Sequence, residues 1–224
     1  MRRPRGTLVR NPTLVRINHW LTALCFVLLV ASGLAMFHPL LFWLSNLFGG
    51  GQWTRAVHPW IGIVLILSYA GMIVQFWRDN RWTKDDSAWL GSVGRVLANE
   101  EESVPEAGRF NAGQKLVFWS MALLIPVLLF TGILVWEVYF GTATSIETQR
   151  AALLIHSLAA IAAIVIWIIH VYAAIHVEGS MRAMTRGYVT PGWAWRHHRK
   201  WFRALAVTGS MGPRPLDRDR EVRK

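Results

Sequence analysis

Histidines interrupt the apolar stretches of this sequence. His156 and His170 lie within the run LLIHSLAAIAAIVIWIIHVYAAIH at 153–176, fourteen residues apart. Fourteen steps of about 100° come within about 40° of whole helical turns, so both imidazoles project from nearly the same side. His19 and His58 each open another apolar stretch. Because an imidazole is costly in hydrocarbon, the pattern predicts that a partner or ligand holds these side chains.

The chain has four apolar stretches, and three of them carry or adjoin these histidines. The chain has 224 residues, 53% of them hydrophobic, and a mean hydropathy of +0.30. Each stretch is near the roughly 20 residues that cross a hydrocarbon layer about 30 Å thick as a helix. Helices are expected because the backbone polar groups of a lipid-embedded segment must be satisfied within it. The predicted fold class is all-α, a four-helix transmembrane bundle with spans at about 18–37, 58–77, 114–136 and 152–176.

Basic residues predict the orientation of the bundle. Of the 24 Lys and Arg residues, all but Arg55 and Arg150 precede the first span, lie between Arg78 and Lys115 at the start of the third span, or follow the last span. Connections rich in Lys and Arg stay in the cytoplasm. Both termini are therefore expected to be cytoplasmic, and connections 38–57 and 137–151 are expected outside.

The segments between and after the spans complete one predicted domain at 1–206. A surface helix is expected at about 86–99 and a basic amphipathic tail at about 190–206, followed by a disordered basic tail at 207–224. The net charge of +11 raises the possibility of nucleic-acid binding. Juxtamembrane basic and aromatic segments typically rest on anionic headgroups, so lipid or a partner surface is predicted and nucleic acid is not.

The histidines pair by their predicted depth. His58 and His156 lie near the outer ends of their spans, and His19 and His170 near the inner ends. A flat macrocycle with iron at its centre needs two axial ligands on opposite faces, and neutral imidazole suits iron. Facing helices of a bundle can supply one ligand each, so the pattern predicts two haems. The remaining histidines are predicted not to be ligands: His38, His176, His197 and His198.

Other interpretations of the membrane histidines stay open. A single one commonly forms a hydrogen bond to a neighbouring helix, and several together would also suit a non-redox transporter or proton relay. Zinc is less favoured because no Cys or carboxylate lies at either depth to complete a tetrahedral ligand set. Cys25 is the only cysteine, which excludes an internal disulfide, cysteine-ligated iron–sulfur clusters and covalent haem attachment.

The segment RFNAGQK at 109–115 opens the third span from its inner side. Asn111, Gly113 and Gln114 fall at a helix start, where backbone N–H groups are unpaired. Such a site could offer hydrogen bonds and protons to a quinone. On the residues alone, simple N-capping by Asn111 with Lys115 reaching the surface is the favoured interpretation.

The sequence resembles the cytochrome b (gamma) subunit of membrane-bound formate dehydrogenase over nearly its whole length. FNAGQK and the EGSM stretch that follows the last span are the most specific parts of the resemblance. The matching stretches are INHW at 17–20, HPWIGI at 58–63, GRFNAGQKLVFW at 108–119, LLIHSLAA at 153–160, IHVYAAIHVEGSMRAMTRGYV at 169–189 and WRHHRKWF at 195–202.

The resemblance implies a subunit of the bacterial inner membrane with two b haems. By matching position, His58 with His156 would hold the outer haem, and His19 with His170 the inner one. The resemblance also implies an iron–sulfur beta subunit that delivers electrons from a molybdenum- or tungsten-containing, formate-oxidising alpha subunit. This chain would pass electrons inward but would not itself oxidise formate.

The resemblance also changes the interpretation of RFNAGQK. It places quinone contacts at Asn111, Gly113 and Gln114, beside the inner haem ligand His170. Quinone would be reduced there with protons taken from the cytoplasm. Two alternatives remain: a di-haem anchor of a [NiFe]-hydrogenase or other respiratory oxidoreductase, and, more remotely, a non-redox histidine-containing transporter.

Overall fold

The computed structural model describes residues 4, 6–97, 104–140 and 143–208, so most of the expected tail at 207–224 lies outside the described residues. The chain divides into two compact units. The membrane unit comprises Thr13–Trp77 and Leu116–His176. The polar unit comprises Met1–Pro12, Arg78–Lys115 and Val177–Lys224.

The described elements are mainly helical, with one short strand pair. In chain order they are β1 (Leu8–Val9), α1 (Thr13–Phe37), a 3₁₀ helix (Pro39–Phe48), α2 (Gly51–Phe76), α3 (Lys84–Leu90), α4 (Val93–Leu97), α5 (Ala112–Leu134), α6 (Glu137–Phe140), α7 (Ile146–His176), α8 (Ser180–Thr185), β2 (Tyr188–Val189), α9 (Pro191–His197) and α10 (Arg199–Val207).

Among the described helices, α1, α2, α5 and α7 are long and apolar enough to cross a membrane. This confirms the predicted all-α class with four spans. Their outward side chains include Leu67, 68% exposed, and Val74, 82% exposed. Contiguous apolar surface of this kind is unfavourable in water but matches a hydrocarbon solvent. The membrane unit is therefore built to face lipid.

Three of the membrane helices begin well before the predicted apolar stretches. α1 starts at Thr13, α2 at Gly51 and α7 at Ile146. The first turns of α7 read IETQR, a polar run that continues the helix beyond the apolar part. Hydropathy marks only the segment that fits hydrocarbon, whereas backbone hydrogen bonding extends the helix as far as the local residues permit.

Small polar groups join the helices of the membrane unit. The side-chain nitrogen of Asn18 in α1 donates to the carbonyl of Ser68 in α2 at 3.0 Å, and the Ser68 hydroxyl donates to Asn18 Oδ1 at 2.8 Å. A Cβ at Gly71 would lie only 3.1 Å from the Asn18 amide nitrogen, so glycine permits this approach. The Tyr69 hydroxyl donates to the carbonyl of Phe118 in α5 at 2.6 Å. Such contacts are typical of helix association in lipid.

Aromatic clusters lie at two levels, one along α2 and one at the residue that follows its end. Trp60 packs edge-on against Trp136 and Tyr139, with ring centroids 5.3 and 6.3 Å away. Trp77 packs edge-on against Trp119 at 5.2 Å. Trp60 and Trp77 are seventeen residues apart, a rise of about 26 Å along the helix. Tryptophan and tyrosine favour both membrane–water interfaces, and this spacing is close to the hydrocarbon thickness.

The polar unit has a small core of its own. β1 pairs with β2 in antiparallel register, Leu8 opposite Val189. These two residues form a buried cluster with Ala183 and Ala194. Partly buried side chains of the C-terminal segment pack against that cluster: Trp193, Trp201, Phe202 and Leu205. Aromatic residues that the sequence assigned to a lipid or partner surface thus cover a core within this unit.

The two amphipathic segments predicted outside the spans are each divided into shorter helices. The expected helix at 86–99 is α3 followed by α4, with residues 98 and 99 outside the described part. The expected tail segment at 190–206 is α9 followed by α10, separated at His198. Thr190 caps α9 by accepting a hydrogen bond from Trp193 N, and Pro191 occupies the first helical position.

Candidate metal centres and the start of α5

The structure brings the four predicted ligand histidines together as two facing pairs. The rings of His58 in α2 and His156 in α7 have centroids 6.3 Å apart. The rings of His19 in α1 and His170 in α7 have centroids 6.2 Å apart. Each pair joins α7 to a different helix, in the combinations predicted from depth. The ligand role itself stays a prediction.

The ring separations suit two imidazoles that share one metal ion from opposite sides. A metal–imidazole nitrogen bond is about 2 Å long, and a further ~1 Å separates that nitrogen from the ring centre. Two ligands on opposite faces therefore place their ring centres about 6 Å apart. The observed 6.3 and 6.2 Å agree with that arrangement.

The donor set also fits a metal whose other positions are filled by a macrocycle. Within the described ranges, no group of three or more His, Cys, Asp or Glu side chains could hold a metal ion. A structural zinc ion normally takes four protein ligands, which neither pair can supply. Haem iron needs only two axial ligands, because the porphyrin provides the remaining four. The residues present therefore fit haem better than a bare ion.

Hydroxyl groups support the His58–His156 pair. The Ser32 hydroxyl lies 2.7 Å from His58 Nδ1, and the Thr131 hydroxyl lies 2.9 Å from His156 Nδ1. Ser32 is fully buried and Thr131 nearly so. A second hydrogen bond of this kind orients a ligating imidazole and fixes which nitrogen carries the proton.

The His19–His170 pair is supported differently. His19 packs edge-on against Trp20, with ring centroids 5.5 Å apart. The buried Nδ1 of His19 has no hydrogen-bond partner within the described part of the chain. A buried polar nitrogen left unpaired costs about 1–3 kcal/mol. The His19–His170 pair thus keeps a polar atom that has no partner among the described residues.

Glycines lie beside the rings of the His58–His156 pair. A Cβ at Gly33 would lie 3.6 Å from His58 Cε1, and a Cβ at Gly132 would lie 3.4 Å from His156 Cε1. Each glycine directly follows the supporting hydroxyl residue, in the dipeptides Ser32–Gly33 and Thr131–Gly132. Neither Ser32 nor Thr131 was predicted from the sequence. A hydroxyl–glycine dipeptide inside an apolar span is the signal that could have found them.

The start of α5 shows reciprocal capping. Asn111 N–H donates to Gln114 Oε1 at 3.1 Å, and Gln114 N–H donates to Asn111 Oδ1 at 2.9 Å. Both side-chain oxygens are therefore used as acceptors, and each side-chain NH₂ group keeps its donor capacity. Gly113 lies against the Trp89 ring, where an added Cβ would be 3.4 Å from Cη2. The predicted capping role of Asn111 is confirmed by this geometry.

The capping interpretation predicted that the Lys115 side chain would reach the surface, and this prediction is wrong. Its side chain is buried and donates to Asp86 Oδ2 at 2.8 Å and to the Arg81 carbonyl at 2.9 Å. Thr83 donates to the same carboxylate through its N–H and its hydroxyl. The ion pair and Asn111 line a pocket of about 150 Å³. Burial raises the pKa of Asp86, but the hydrogen bonds from Lys115 and Thr83 outweigh burial and hold it below its ordinary value.

His198 is buried in the polar unit, although the sequence placed it in a basic tail. Its Nδ1 lies 2.8 Å from the Gly108 carbonyl, and its Nε2 lies 3.4 Å from an Arg10 nitrogen. Burial, followed by the charge of Arg10, lowers the pKa of His198 well below its ordinary value. His198 is therefore neutral, donating to Gly108 and accepting from Arg10. Burial and the charge of Arg109 in turn lower the pKa of Arg10 to about 9.

Two other histidines predicted not to be ligands have local contacts. His38 caps the 3₁₀ helix by accepting a hydrogen bond from Leu40 N at 3.3 Å. His176 is exposed and stacks on Tyr172, with centroids 5.6 Å apart.

Comparison with known proteins gives consistent matches over most of the chain. The family described as prokaryotic cytochrome b561 matches residues 10–187. The formate dehydrogenase cytochrome b556(fdo) subunit of Escherichia coli K12 is 41% identical over 204 residues, covering 91% of this chain and 96% of the relative. The nitrate-inducible cytochrome b556(Fdn) subunit of the same strain is 39% identical, covering 88% and 91%. The cytochrome b556 subunit of formate dehydrogenase from Haemophilus influenzae is 37% identical, covering 88% and 82%.

Proposed function

Because the chain belongs to the prokaryotic cytochrome b561 family, we propose that it is the membrane cytochrome b subunit of a formate dehydrogenase and passes electrons to quinone. The relatives named above are such subunits. Two b haems, one at each histidine pair, would supply one-electron transfer between an outer donor and an inner acceptor. The donor would be an iron–sulfur partner subunit linked to a formate-oxidising subunit that contains molybdenum or tungsten.

The observation that carries this proposal is that two histidines of α7 each face a histidine of another helix. His156 and His170 are fourteen residues apart, a rise of about 21 Å. Each faces one histidine of another helix at a distance that suits a shared iron. In this proposal His58 and His156 hold the outer haem, and His19 and His170 hold the inner haem. Two such centres along one membrane helix suit electron transfer across the bilayer.

The proposed quinone site uses the start of α5. Asn111 and Gln114 spend their side-chain oxygens on each other's backbone N–H groups. Their NH₂ groups are then held as donors, which a quinone carbonyl oxygen needs. Gly113 between them presents backbone without a side chain. By matching position, His170 is included in this site. Capping and quinone binding are therefore compatible functions of the same residues.

The proposed orientation follows from charge. All Lys and Arg residues other than Arg55 and Arg150 fall in segments assigned to the cytoplasm. The protein would be a multi-pass protein of the bacterial inner membrane with both termini inside. A reporter fused after Lys224 should behave as cytoplasmic, and one inserted near Gly50 as external. The opposite result would exchange the outer and inner histidine pairs.

Spectroscopy of the complex purified with its partners tests the function. A dithionite-reduced b-type band with two haems per chain is expected, and formate should reduce both haems. Addition of quinone should then reoxidise them. Absence of haem would overturn the proposal. Reduction by hydrogen instead of formate would assign the chain to a hydrogenase and overturn the formate assignment alone.

A further inference from the structure

We propose that Ser32 and Thr131 are positioning residues that lower the reduction potential of the haem held by His58 and His156. They would act through hydrogen bonds to the two ligating imidazoles. The inference rests on the proposed function, because it requires haem at that pair. It concerns a difference between the two histidine pairs: hydroxyl groups contact Nδ1 of His58 and His156, whereas Nδ1 of His19 has no partner among the described residues.

The direction of each hydrogen bond follows from the second bond of each hydroxyl. Ser32 donates its hydroxyl proton to the Leu28 carbonyl at 2.8 Å, and Thr131 donates to the Val127 carbonyl at 2.7 Å. A hydroxyl has one proton, so a hydroxyl that donates to its carbonyl meets the imidazole as an acceptor. In that arrangement Nδ1 of His58 and of His156 carries the proton. Nε2 keeps its lone pair, which is the form that binds iron.

The same arrangement occurs in two parts of the membrane unit with different sequences. In one, Ser32–Gly33 of α1 supports His58 of α2, and in the other, Thr131–Gly132 of α5 supports His156 of α7. The hydroxyl and the histidine are 26 residues apart in the first case and 25 in the second. In both, the glycine leaves ordinary contact distance to Cε1 of the ring. Packing alone does not require a hydroxyl, a glycine and an imidazole in the same order twice.

Burial makes these hydrogen bonds effective. Ser32 is 0% exposed and Thr131 is 4% exposed, so water does not compete for the imidazole proton. Accepting the Nδ1 proton increases the basicity of the other ring nitrogen. A more basic ligand stabilises the oxidised, more positively charged iron and so lowers the reduction potential. His19 Nδ1 has no such acceptor among the described residues. The outer centre is thereby made the stronger electron donor of the two.

Redox titration of the purified complex tests this role. Thr131→Val removes the hydroxyl and keeps a branched side chain, and Ser32→Ala removes the other hydroxyl. Each variant should shift the midpoint potential of one haem upward and leave that of the second haem unchanged. The double variant should shift the same haem further. Unchanged potentials in variants that keep two haems would overturn the inference.

Matched variants separate the hydroxyl from packing. Thr131→Ser keeps the hydroxyl and loses the methyl group, so its titration should match the unmodified protein. Ser157 directly follows His156 and donates its hydroxyl to the Leu153 carbonyl, so Ser157→Ala should shift neither haem. Haem loss in Thr131→Val but not in Thr131→Ser would also show that the Thr131 hydroxyl, and not its methyl group, supports the haem site. Equal haem loss in both variants would overturn the inference. Absence of haem from the unmodified protein would refute the proposed function itself.

Discussion

Among the described residues, the buried polar side chains of the membrane unit are serine and threonine hydroxyls, whereas the polar unit buries charged, amide and imidazole groups. The hydroxyls belong to Ser32, Ser45, Thr54, Ser68 and Thr131. The groups of the polar unit belong to Arg10, Asn11, Asn80, Asp86, Lys115 and His198. The two units therefore differ in the type of polar side chain that they bury.

The difference follows from where a partner can be found. Ser32, Thr54 and Thr131 each donate to the carbonyl four residues earlier, so one segment satisfies its own hydroxyls. A charge needs a partner from elsewhere, and Lys115 finds Asp86 at a sequence separation of 29. Among the described residues of the membrane unit, His19 keeps a buried Nδ1 that has no hydrogen-bond partner. An unsatisfied polar nitrogen is costly in hydrocarbon.

The largest expected effect comes from the imidazoles of the membrane unit. His58→Ala should remove the outer haem, and His170→Ala should remove the inner haem and quinone reduction together. Each variant would lose one of the two ligands proposed for its haem, so we expect one haem per chain in a protein that still inserts. Pyridine haemochrome analysis measures the stoichiometry. His176→Ala is the control and should keep both haems. Retention of two haems in either ligand variant would contradict the assignment.

Breaking the buried ion pair of the polar unit should have the next largest effect. Asp86→Asn leaves the Lys115 charge buried without its carboxylate, a change that typically costs about 3–5 kcal/mol. The neighbouring Asp85 is half exposed and pairs with Lys200, so Asp85→Asn is the matched control. Chemical denaturation in detergent should show a large decrease in the free energy of unfolding for Asp86→Asn and a small decrease for Asp85→Asn. Equal effects would contradict the comparison.

The same pair gives a pH dependence of definite sign. The pKa of Asp86 is held below its ordinary value in the folded protein, mainly by Lys115 and Thr83 acting against burial. Its contribution to the free energy of unfolding is thus present above the ordinary value of about 4 and is lost as the pH falls through the lowered value. Asp86→Asn should show a smaller acid-induced loss of stability than the unmodified protein.

Substitutions at the start of α5 should weaken quinone binding by about ten- to hundredfold. Removing a hydrogen-bond partner of a bound group typically costs about 1–3 kcal/mol. Asn111→Ala and Gln114→Ala should keep both haems, which then reoxidise slowly when quinone is added. Asn111→Asp and Gln114→Glu keep the capping oxygens but lose the NH₂ donors, so they should also be slow. Normal rates in these two acidic variants would leave only the capping role.

The membrane unit was largely predictable from the sequence, and the polar unit was not. Apolar length located the four spans, and depth paired His58 with His156 and His19 with His170. Those inferences need only the regular geometry of a helix. The supporting hydroxyls were missed because a buried serine or threonine in a membrane helix ordinarily bonds its own backbone, as Ser32 and Thr131 also do.

The polar unit depends on contacts between segments far apart in the chain. His198 is neutral and buried because Arg10 and the Gly108 carbonyl meet it, at sequence separations of 188 and 90. The local sequence pattern around a residue does not indicate which distant segments will contact it. For the same reason Lys115 was expected at the surface: its partner Asp86 lies in a different helix, and only the fold brings the two together.

The smallest expected effect comes from the exposed ion pair of the polar unit. Lys200 and Asp85 keep 51% and 52% of their side-chain surface exposed, so water and salt screen their attraction. Such pairs contribute about 0.2–1 kcal/mol, and at 1 M salt the Debye length falls to about 3 Å. Lys200→Ala should therefore change the free energy of unfolding by at most about 1 kcal/mol, and by less in high salt. The loss caused by Asp86→Asn should persist in high salt, because Asp86 and Lys115 are each only 7% exposed. If salt reduced both effects equally, burial would not be what distinguishes the two carboxylates.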